Sequence, residues 1–193
     1  MMRIAITSGL ALFALACTPQ DDTAGSDEFE VRASSKAKAT IIDQTGTNIG
    51  ELKLSEDHGV VEGKVEIYVA PAGYHGLHIH GVGQCTATFT SAGGHFNPTG
   101  ATHGNHAGDL PVLLVKADGT ASARFETDRF TIAQILDADG AAVILHAAAD
   151  NYANVSTRYF STTENVSGAD SATLATGDAG SRLGCGVIKA SRD

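Results

Sequence analysis

Short stretches in which apolar residues alternate with polar ones constrain the fold of this chain more than any other feature. Val65 and Ile67, for example, alternate with Lys64 and Glu66. Successive side chains of a β-strand point to opposite faces, so this period of two predicts strands with one buried face. Comparable apolar stretches lie at 39–42, 51–55, 64–69, 76–80, 112–116, 120–127, 141–146 and 186–188. Gly-containing turns separate them and no amphipathic helix of ten or more residues is visible in the body, so we expect an all-β sandwich or barrel.

Two long segments interrupt this strand pattern, at residues 81–109 and 147–184. Both are rich in Gly, Ser, Thr and Asn, and the first also contains His. Loops of this length are uncommon in a compact domain unless they have a function. We therefore expect the chemistry to lie on two functional loops that a rigid β-structure holds in place.

The N-terminus has the layout of a secretory signal peptide over residues 1–16. Arg3 precedes an apolar run that is too short to span a bilayer, and Cys17 follows Ala16 directly. This arrangement resembles a bacterial lipobox, in which Cys17 would be lipidated; residues 14–16 also suit ordinary cleavage. We expect export to the periplasm or cell envelope, with membrane attachment only through this anchor. Residues 17–38, which are small, polar and acidic, would form a flexible linker to a domain at 39–193.

The charge of the chain disfavours nucleic acid as a partner. There are 13 Lys and Arg against 22 Asp and Glu, which gives a net charge of −9, and no basic stripe is apparent along the sequence. Removal of the signal peptide would change the charge to −10, because Arg3 is its one charged residue. Export also predicts an oxidising compartment, in which the two remaining cysteines, Cys85 and Cys185, would form a disulfide.

Histidines are the most informative polar residues. His78 and His80 form an H-x-H pair on a predicted strand, so their side chains share one face at a spacing of about 6.6 Å. The other candidate ligands are His95, His103, His106, Asp109 and His146. Imidazoles with one carboxylate suit copper or zinc, whereas a zinc finger would need paired cysteines and a blue-copper site a cysteine ligand. His58 and His75 are interpreted as surface residues without a role.

Several strings in this order resemble the copper/zinc superoxide dismutase family: GLHIH at 76–80, Cys85, GHFNP at 94–98, HAGDLP at 106–111, and GDAGSRLGCGVI at 177–188. The resemblance covers roughly residues 39–190, nearly the whole predicted domain. It implies a Greek-key β-sandwich, or flattened barrel, of about eight antiparallel strands.

The resemblance also implies the site residues. The copper ligands would be His78, His80, His95 and His146, and the zinc ligands His95, His103, His106 and Asp109. His95 would bridge the two metals. Arg182 would be the active-site arginine, Asp150 would link the ligands His78 and His103, and Cys85 and Cys185 would form the family disulfide.

The implied reaction converts superoxide to dioxygen and hydrogen peroxide, with copper cycling between Cu(II) and Cu(I), His95 handling a proton and Arg182 attracting the anion. Two features depart from better-known members: a short segment between His103 and His106, and a long stretch at 152–175. A non-enzymatic copper-binding or copper-delivery protein on the same fold is the alternative, ahead of a plain structural sandwich or a zinc hydrolase. A homodimer is compatible with the resemblance.

Overall fold

The computed structural model of this protein describes residues 35–86 and 88–192. The expected signal peptide, Cys17 and most of the expected linker lie outside these residues. The strands are β1 (Lys36–Ile42), β2 (Asn48–Asp57), β3 (Val60–Ile67), β4 (Gly73–His75), β5 (Leu77–His80), β6 (Leu113–Val115), β7 (Ala121–Thr127), β8 (Ala142–His146), β9 (Phe160–Ser161), β10 (Val166–Ser167), β11 (Arg182–Val187) and β12 (Lys189–Ala190). Two short helices accompany them, α1 (Ile132–Ile135) and α2 (Ser171–Thr176), together with a 3-10 turn (Thr90–Ala92).

One eight-stranded sheet forms the body of the domain. Its strand order is β5-β8-β11-β1-β2-β3-β7, with β12 paired to β1, and β4-β6 and β9-β10 form separate two-stranded sheets. Every pairing among these strands is antiparallel. Strands β3 and β7 are neighbours in the sheet although three strands separate them in the chain. Strand β8 pairs with β5 and with β11, although two strands separate each of these pairs in the chain. The predicted all-β Greek-key architecture is confirmed.

The core follows from the period of two. Along β1 the burial alternates strictly, with Ala37, Ala39 and Ile41 inside and the residues between them outside. The partner strand places Leu52 and Leu54 on the same inner face. Strand β8 differs because all five of its residues are buried. A strand that is buried on both faces can present polar side chains to an enclosed site on one of them.

Each of the eight predicted stretches contains or overlaps a strand. The first strand begins at Lys36, so the sheet includes three residues of the expected linker. Val69 lies beyond the end of β3 and is exposed. The sequence did not predict β4, β9, β10 or β12, because two or three residues are too few to show a period. None of the helices in the described part of the chain is long and apolar enough to cross a membrane.

The two long segments are mostly irregular, as expected. The first contains the 3-10 turn, and the second contains the β9-β10 hairpin and α2 before β11 begins at Arg182. Cys85 in the first segment is bonded to Cys185 of β11, with their Cα atoms 5.7 Å apart. The predicted disulfide is therefore confirmed, and it fastens the first segment to the sheet.

Candidate metal centre

Strand β5 lies at one end of the sheet order, so one of its edges is available to the first long loop. That loop pairs with it through two isolated bridges, His78 with Asp109 and His80 with His95. The backbone of Ile79 completes this attachment, because its N–H donates to Gly108 O and its carbonyl accepts from Phe96 N, each at 2.8 Å. On its other side β5 pairs with β8, which ends at His146. Backbone pairing thus brings the predicted ligands together from three separate parts of the chain.

The first group of ligand atoms comes from His78, His80, His95 and His146, all buried and within 4.8 Å of one another. Three of these rings have a fixed tautomer. The Nδ1–H of His80 donates to Gly93 O at 2.9 Å, and that of His146 donates to Gly180 O at 3.0 Å, since a carbonyl oxygen can only accept. His78 instead donates from Nε2 to the Asp150 carboxylate at 2.8 Å.

The nitrogens that remain are buried acceptors with no hydrogen-bond partner: Nδ1 of His78 and Nε2 of His80, His95 and His146. An unsatisfied buried polar atom costs about 1–3 kcal/mol, and four of them converging on one point are hard to explain without a ligand. Lone pairs of neutral imidazoles are good ligands for copper and zinc. The residues present therefore fit a metal ion at this point.

The second group consists of His95, His103, His106 and Asp109. The Oδ1 atom of Asp109 lies 2.7 Å from Nδ1 of His95, 3.4 Å from Nδ1 of His103 and 3.3 Å from Nδ1 of His106. Ligands at about 2.0–2.1 Å around a tetrahedral zinc ion are about 3.3 Å apart, so most of these separations suit zinc. The two residues between His103 and His106 are enough to bring both rings to the carboxylate. His95 belongs to both groups, with Nε2 in the first and Nδ1 in the second.

Asp150 connects the two groups. Its Oδ2 atom accepts from His78 Nε2 and its Oδ1 atom accepts from His103 Nε2, each at 2.8 Å. These bonds leave Nδ1 as the free nitrogen of both rings, which is how a carboxylate behind an imidazole ligand fixes its tautomer. The sequence-based assignment of Asp150 as a link agrees with this geometry.

Gly177 makes that link sterically possible. It follows α2 with φ +64°, and a Cβ atom there would lie 1.7 Å from Asp150 Oδ1 and 2.5 Å from His103 Nε2. The backbone of the second long loop therefore packs directly against the carboxylate bridge.

Burial keeps the ligand imidazoles neutral. Desolvation lowers the pKa of His80 to about 2 and that of His146 to about 3. It also lowers the pKa of His78, more than the bond to Asp150 raises it. For Asp150, burial alone would raise the pKa, but its bonds to His78 and His103 outweigh that effect and hold the pKa at about 2. Neutral histidines beside an ionised carboxylate are in the protonation states that metal binding requires.

Arg182 lies directly opposite His146 in the pairing of β8 with β11. Its guanidinium donates to Phe89 O at 2.5 Å and to Gly93 O at 2.7 Å. Gly93 O also accepts from His80, so Arg182 and a member of the first group share one backbone anchor. The positive charge of Arg182 contributes to the lowered pKa of both His80 and His146, so its electric field acts on the first group of ligands.

The interpretation of His75 as a surface residue is wrong. Its side chain is buried, with Nδ1 2.7 Å from His146 O and Nε2 2.8 Å from Pro71 O. It thus ties the end of β4 to the end of β8. His58, by contrast, is exposed, as predicted.

Comparison with known proteins agrees with this site. Residues 48–188 match the family model described as copper/zinc superoxide dismutase. The superoxide dismutase [Cu-Zn] of Mycolicibacterium paratuberculosis is 35% identical over 187 residues, which cover 90% of this chain and 82% of that protein. The chain belongs to the copper/zinc superoxide dismutase family.

Solved structures of similar fold include members with other descriptions. A structure described as the clock protein EA4 matches with a TM-score of 0.66 and 27% identity, covering 82% of this chain and 96% of that one. A mutant of an SOD-like protein from Bacillus subtilis matches with a TM-score of 0.63 and 29% identity, covering 78% and 95%.

The structure brings together every described residue that the sequence assigned to the site. The sequence did not predict the supports of that site: the carbonyl groups of Phe89, Gly93 and Gly180, and the side chain of His75. Carbonyl acceptors have no signature in a sequence because every residue carries one. His75 had a weak signal, since it lies only three residues before His78.

Proposed function

We propose that this protein is a superoxide dismutase in which His78, His80, His95 and His146 hold copper. The observation that carries the assignment is the set of four buried, unpaired imidazole nitrogens that point to one place. We assign zinc to His95, His103, His106 and Asp109, whose donor atoms have near-tetrahedral separations. The net reaction takes two superoxide anions and two protons to dioxygen and hydrogen peroxide.

Copper supplies the one-electron redox chemistry of this reaction when it is bound. The residues of the chain supply position and charge. His95 contributes one nitrogen to each group and is the one ligand that both groups share. Its Nε2 is the site for proton uptake and release. Asp109 and Asp150 hold the imidazole rings in their orientations.

Arg182 supplies the attraction for a small anion. It holds a permanent positive charge beside the copper ligands, and its two backbone bonds fix the guanidinium in place. The chain as a whole carries a net charge of −9, but charges beyond about 8–10 Å are largely screened at physiological salt. The local field of Arg182 therefore matters more for superoxide than the overall charge.

The test is superoxide consumption by protein loaded with copper and zinc, together with its metal content. His146→Ala removes a copper ligand, so we expect loss of bound copper and of nearly all activity. His58→Ala is the matched control because His58 is an exposed residue in the turn between β2 and β3 and belongs to neither group, so it should change neither quantity. Full copper occupancy without activity would reject the dismutase function and favour copper delivery; activity that survives His146→Ala would overturn the ligand assignment.

We further propose that residues 1–16 direct export to the periplasm or cell envelope and that Cys17 carries a lipid anchor. The supporting observations are the apolar run after Arg3 and the disulfide, which suits an oxidising compartment. Mass spectrometry of the mature N-terminus tests both statements, since a diacylated Cys17 and a free new N-terminus differ in mass. A homodimer stays a prediction, which light scattering of the mature protein tests.

A further inference from the structure

The sheet register assembles a row of basic side chains that does not exist in the sequence. Lys189 of β12 pairs with Lys38 of β1, Lys38 with Lys53 of β2, Lys53 with Lys64 of β3, and Lys64 with Arg124 of β7. Directly opposed residues lie on the same face of a sheet. Five cations therefore cross five strands in one line, which we call the basic ladder.

The basic ladder lies on the outer face of the sheet. Lys38, Lys53 and Lys64 each lie between two buried residues of their strands, as Lys38 does between Ala37 and Ala39. Arg124 lies between two partly buried residues of β7, and Lys189 is exposed in β12. Neighbouring strands are about 4.8 Å apart, so the five charges extend over about 19 Å. Two depressions of about 670 and 310 Å³ lie beside this line. The larger is lined by Lys53, Lys64 and Arg124 together with two glutamates, and the smaller by Lys38 and Lys189 together with one glutamate.

Such a row is unfavourable for the fold alone. Like charges directly opposite each other destabilise a sheet by up to about 1 kcal/mol for each pair, and the ladder contains four such pairs. Ion pairs with Glu51 and Glu66 at 2.5 and 2.8 Å offset part of this cost at Lys53 and Lys64. Exposed pairs of this kind contribute little to stability, so they do not explain why five cations are aligned.

Carboxylates border the centre of the ladder on both sides, whereas Lys36 extends the positive charge on one side at β1. Glu51 and Glu66 are paired in the row on one side, and Glu62 and Glu126 are paired in the row on the other. A flat anionic membrane or a broad nucleic-acid duplex would meet these carboxylates as well as the cations. The arrangement suits a thin polymer that carries its negative charges in a single file.

Among the described residues that line the two depressions, the one aromatic residue is the partly buried Phe125, whereas binding of single-stranded nucleic acid relies on stacking of successive bases on aromatic side chains in addition to charge. The negative charges of polyphosphate are closer to one another than neighbouring strands of the sheet are. An extended glycan with one acidic group on each sugar ring spaces its charges at about the strand separation. We propose that the basic ladder binds a linear anionic polysaccharide laid across the strands.

This surface is separate from the metal centre. The ladder strands β12, β1, β2, β3 and β7 occupy the part of the sheet order away from β5 and β8, which carry His78, His80 and His146. Binding through the ladder would therefore hold the protein on the polysaccharide without covering the metal ligands. The proposal also does not depend on dismutase activity.

The test measures binding of the full chain to polygalacturonate, a linear glycan with one carboxylate on each ring, as salt is raised. Its uncharged methyl ester is the polymer control. Five contacts predict that log K falls with log salt with a slope of about −3.5. The double variant Lys64→Gln/Arg124→Gln should weaken binding roughly tenfold at about 50 mM salt and reduce the slope to about −2. Lys116→Gln, which removes a charge in the turn after β6, is the matched control and should change the affinity little.

A second variant that should tighten binding distinguishes the loss of charge contacts from damage to the fold. Glu62→Gln removes a carboxylate that borders the ladder, so it should tighten binding, whereas damage to the fold would weaken it. Absence of binding at about 50 mM salt would overturn the proposal. Equal binding by the double variant and Lys116→Gln would also overturn it. Binding to anionic vesicles, an acidic peptide or a single-stranded oligonucleotide as tight as to polygalacturonate would reject the polysaccharide as the partner.

Discussion

At the scale of single residues, the site depends on which nitrogen of each histidine is left free. Backbone carbonyls accept hydrogen bonds from the Nδ1–H groups of His80 and His146, whereas Asp150 accepts from the Nε2–H groups of His78 and His103. The first group therefore offers one Nδ1 atom and three Nε2 atoms as ligand atoms. Residue identity alone does not specify this choice, because a neutral histidine has both tautomers available.

Arg182→Gln tests the role of the guanidinium in attracting superoxide. The substitution removes the fixed charge but none of the imidazole ligands, so bound copper should be unchanged. We expect kcat/KM to fall about 10- to 100-fold, within the range by which a focused local field raises the association rate of a charged substrate. Pulse radiolysis over a range of ionic strengths measures kcat/KM. In the variant, kcat/KM should also depend less on salt concentration than in the parent protein.

The control for Arg182→Gln is Arg158→Gln, which removes the same charge from an exposed arginine of the second long loop. Its kcat/KM should stay within about twofold of the parent value, since an exposed charge is screened. Equal losses in both variants would show that overall charge, not the position of Arg182, governs attraction of the anion.

At the scale of elements, the loops hold the ligands and the sheet holds the loops. The free edge of β5 binds the first loop through the bridges of His78 and His80. The disulfide between Cys85 and Cys185 and the bonds of Arg182 to Phe89 and Gly93 fasten the same loop to β11. The second loop reaches the site through Asp150 and Gly177. Every connection joins residues that are far apart in the sequence.

Gly177→Ala should damage the carboxylate bridge between the two groups. An added Cβ would lie 1.7 Å from Asp150 Oδ1, so either the loop or the carboxylate has to move. Loss of such an outer carboxylate contact typically lowers metal affinity about 10- to 100-fold. Competition with a chelator measures zinc and copper affinity. Gly100→Ala is the control because φ there is +66°, close to +64° at Gly177, yet its added Cβ meets nothing within 4 Å. Equal losses in both variants would assign the effect to backbone strain.

The disulfide should contribute strongly to stability because it closes a long loop. Cys85 and Cys185 are 100 residues apart, and chain-entropy arguments give about 4–5 kcal/mol for a loop of this size. Urea unfolding of Cys85→Ser/Cys185→Ser should show that loss, with reduced parent protein as the comparison. We also expect lower activity at unchanged copper content, since the first loop carries both acceptors of Arg182. A loss below about 1 kcal/mol would contradict this role.

At the scale of the whole molecule, the same burial that keeps the ligands neutral makes the metal-free protein sensitive to acid. His80 and His146 have a pKa near 6.5 when unfolded and about 2 and about 3 when folded, so the unfolded state binds more protons below pH 6.5. Their contribution to stability is therefore present above pH 6.5 and is lost as pH falls towards their folded pKa values. Asp150 adds a separate loss between pH 3.8 and about 2.

Metal-free protein should accordingly lose about 2 kcal/mol of unfolding free energy for each of His80 and His146 between pH 7 and pH 5. Urea unfolding at several pH values measures this. In His80→Asn the side chain at position 80 no longer titrates. This variant should therefore lose about half of the pH dependence of the unfolding free energy that His80 and His146 cause together. A free energy of unfolding that stays constant from pH 7 to pH 5 would contradict the burial of neutral imidazoles.

By itself the sequence determined the all-β class, the positions of eight strand regions, the disulfide and the set of candidate ligands. These follow from local patterns: the period of two, the H-x-H spacing, and the family strings around each ligand. The sequence did not predict short strands such as β4, because two or three residues show no period. It did not predict the burial of His75 either, because the burial of a side chain depends on residues that are distant in the sequence.

Only the tertiary structure decided which nitrogens are free, how Asp150 and Gly177 join the two groups, and that Arg182 shares an anchor with His80. It also decided the basic ladder, since no stretch of the sequence is a basic stripe and five separate strands each supply one cation. The physical reason is the same in every case. Hydrogen bonds and charges act through space over a few ångströms, and the register of an antiparallel sheet sets which distant residues come within that range.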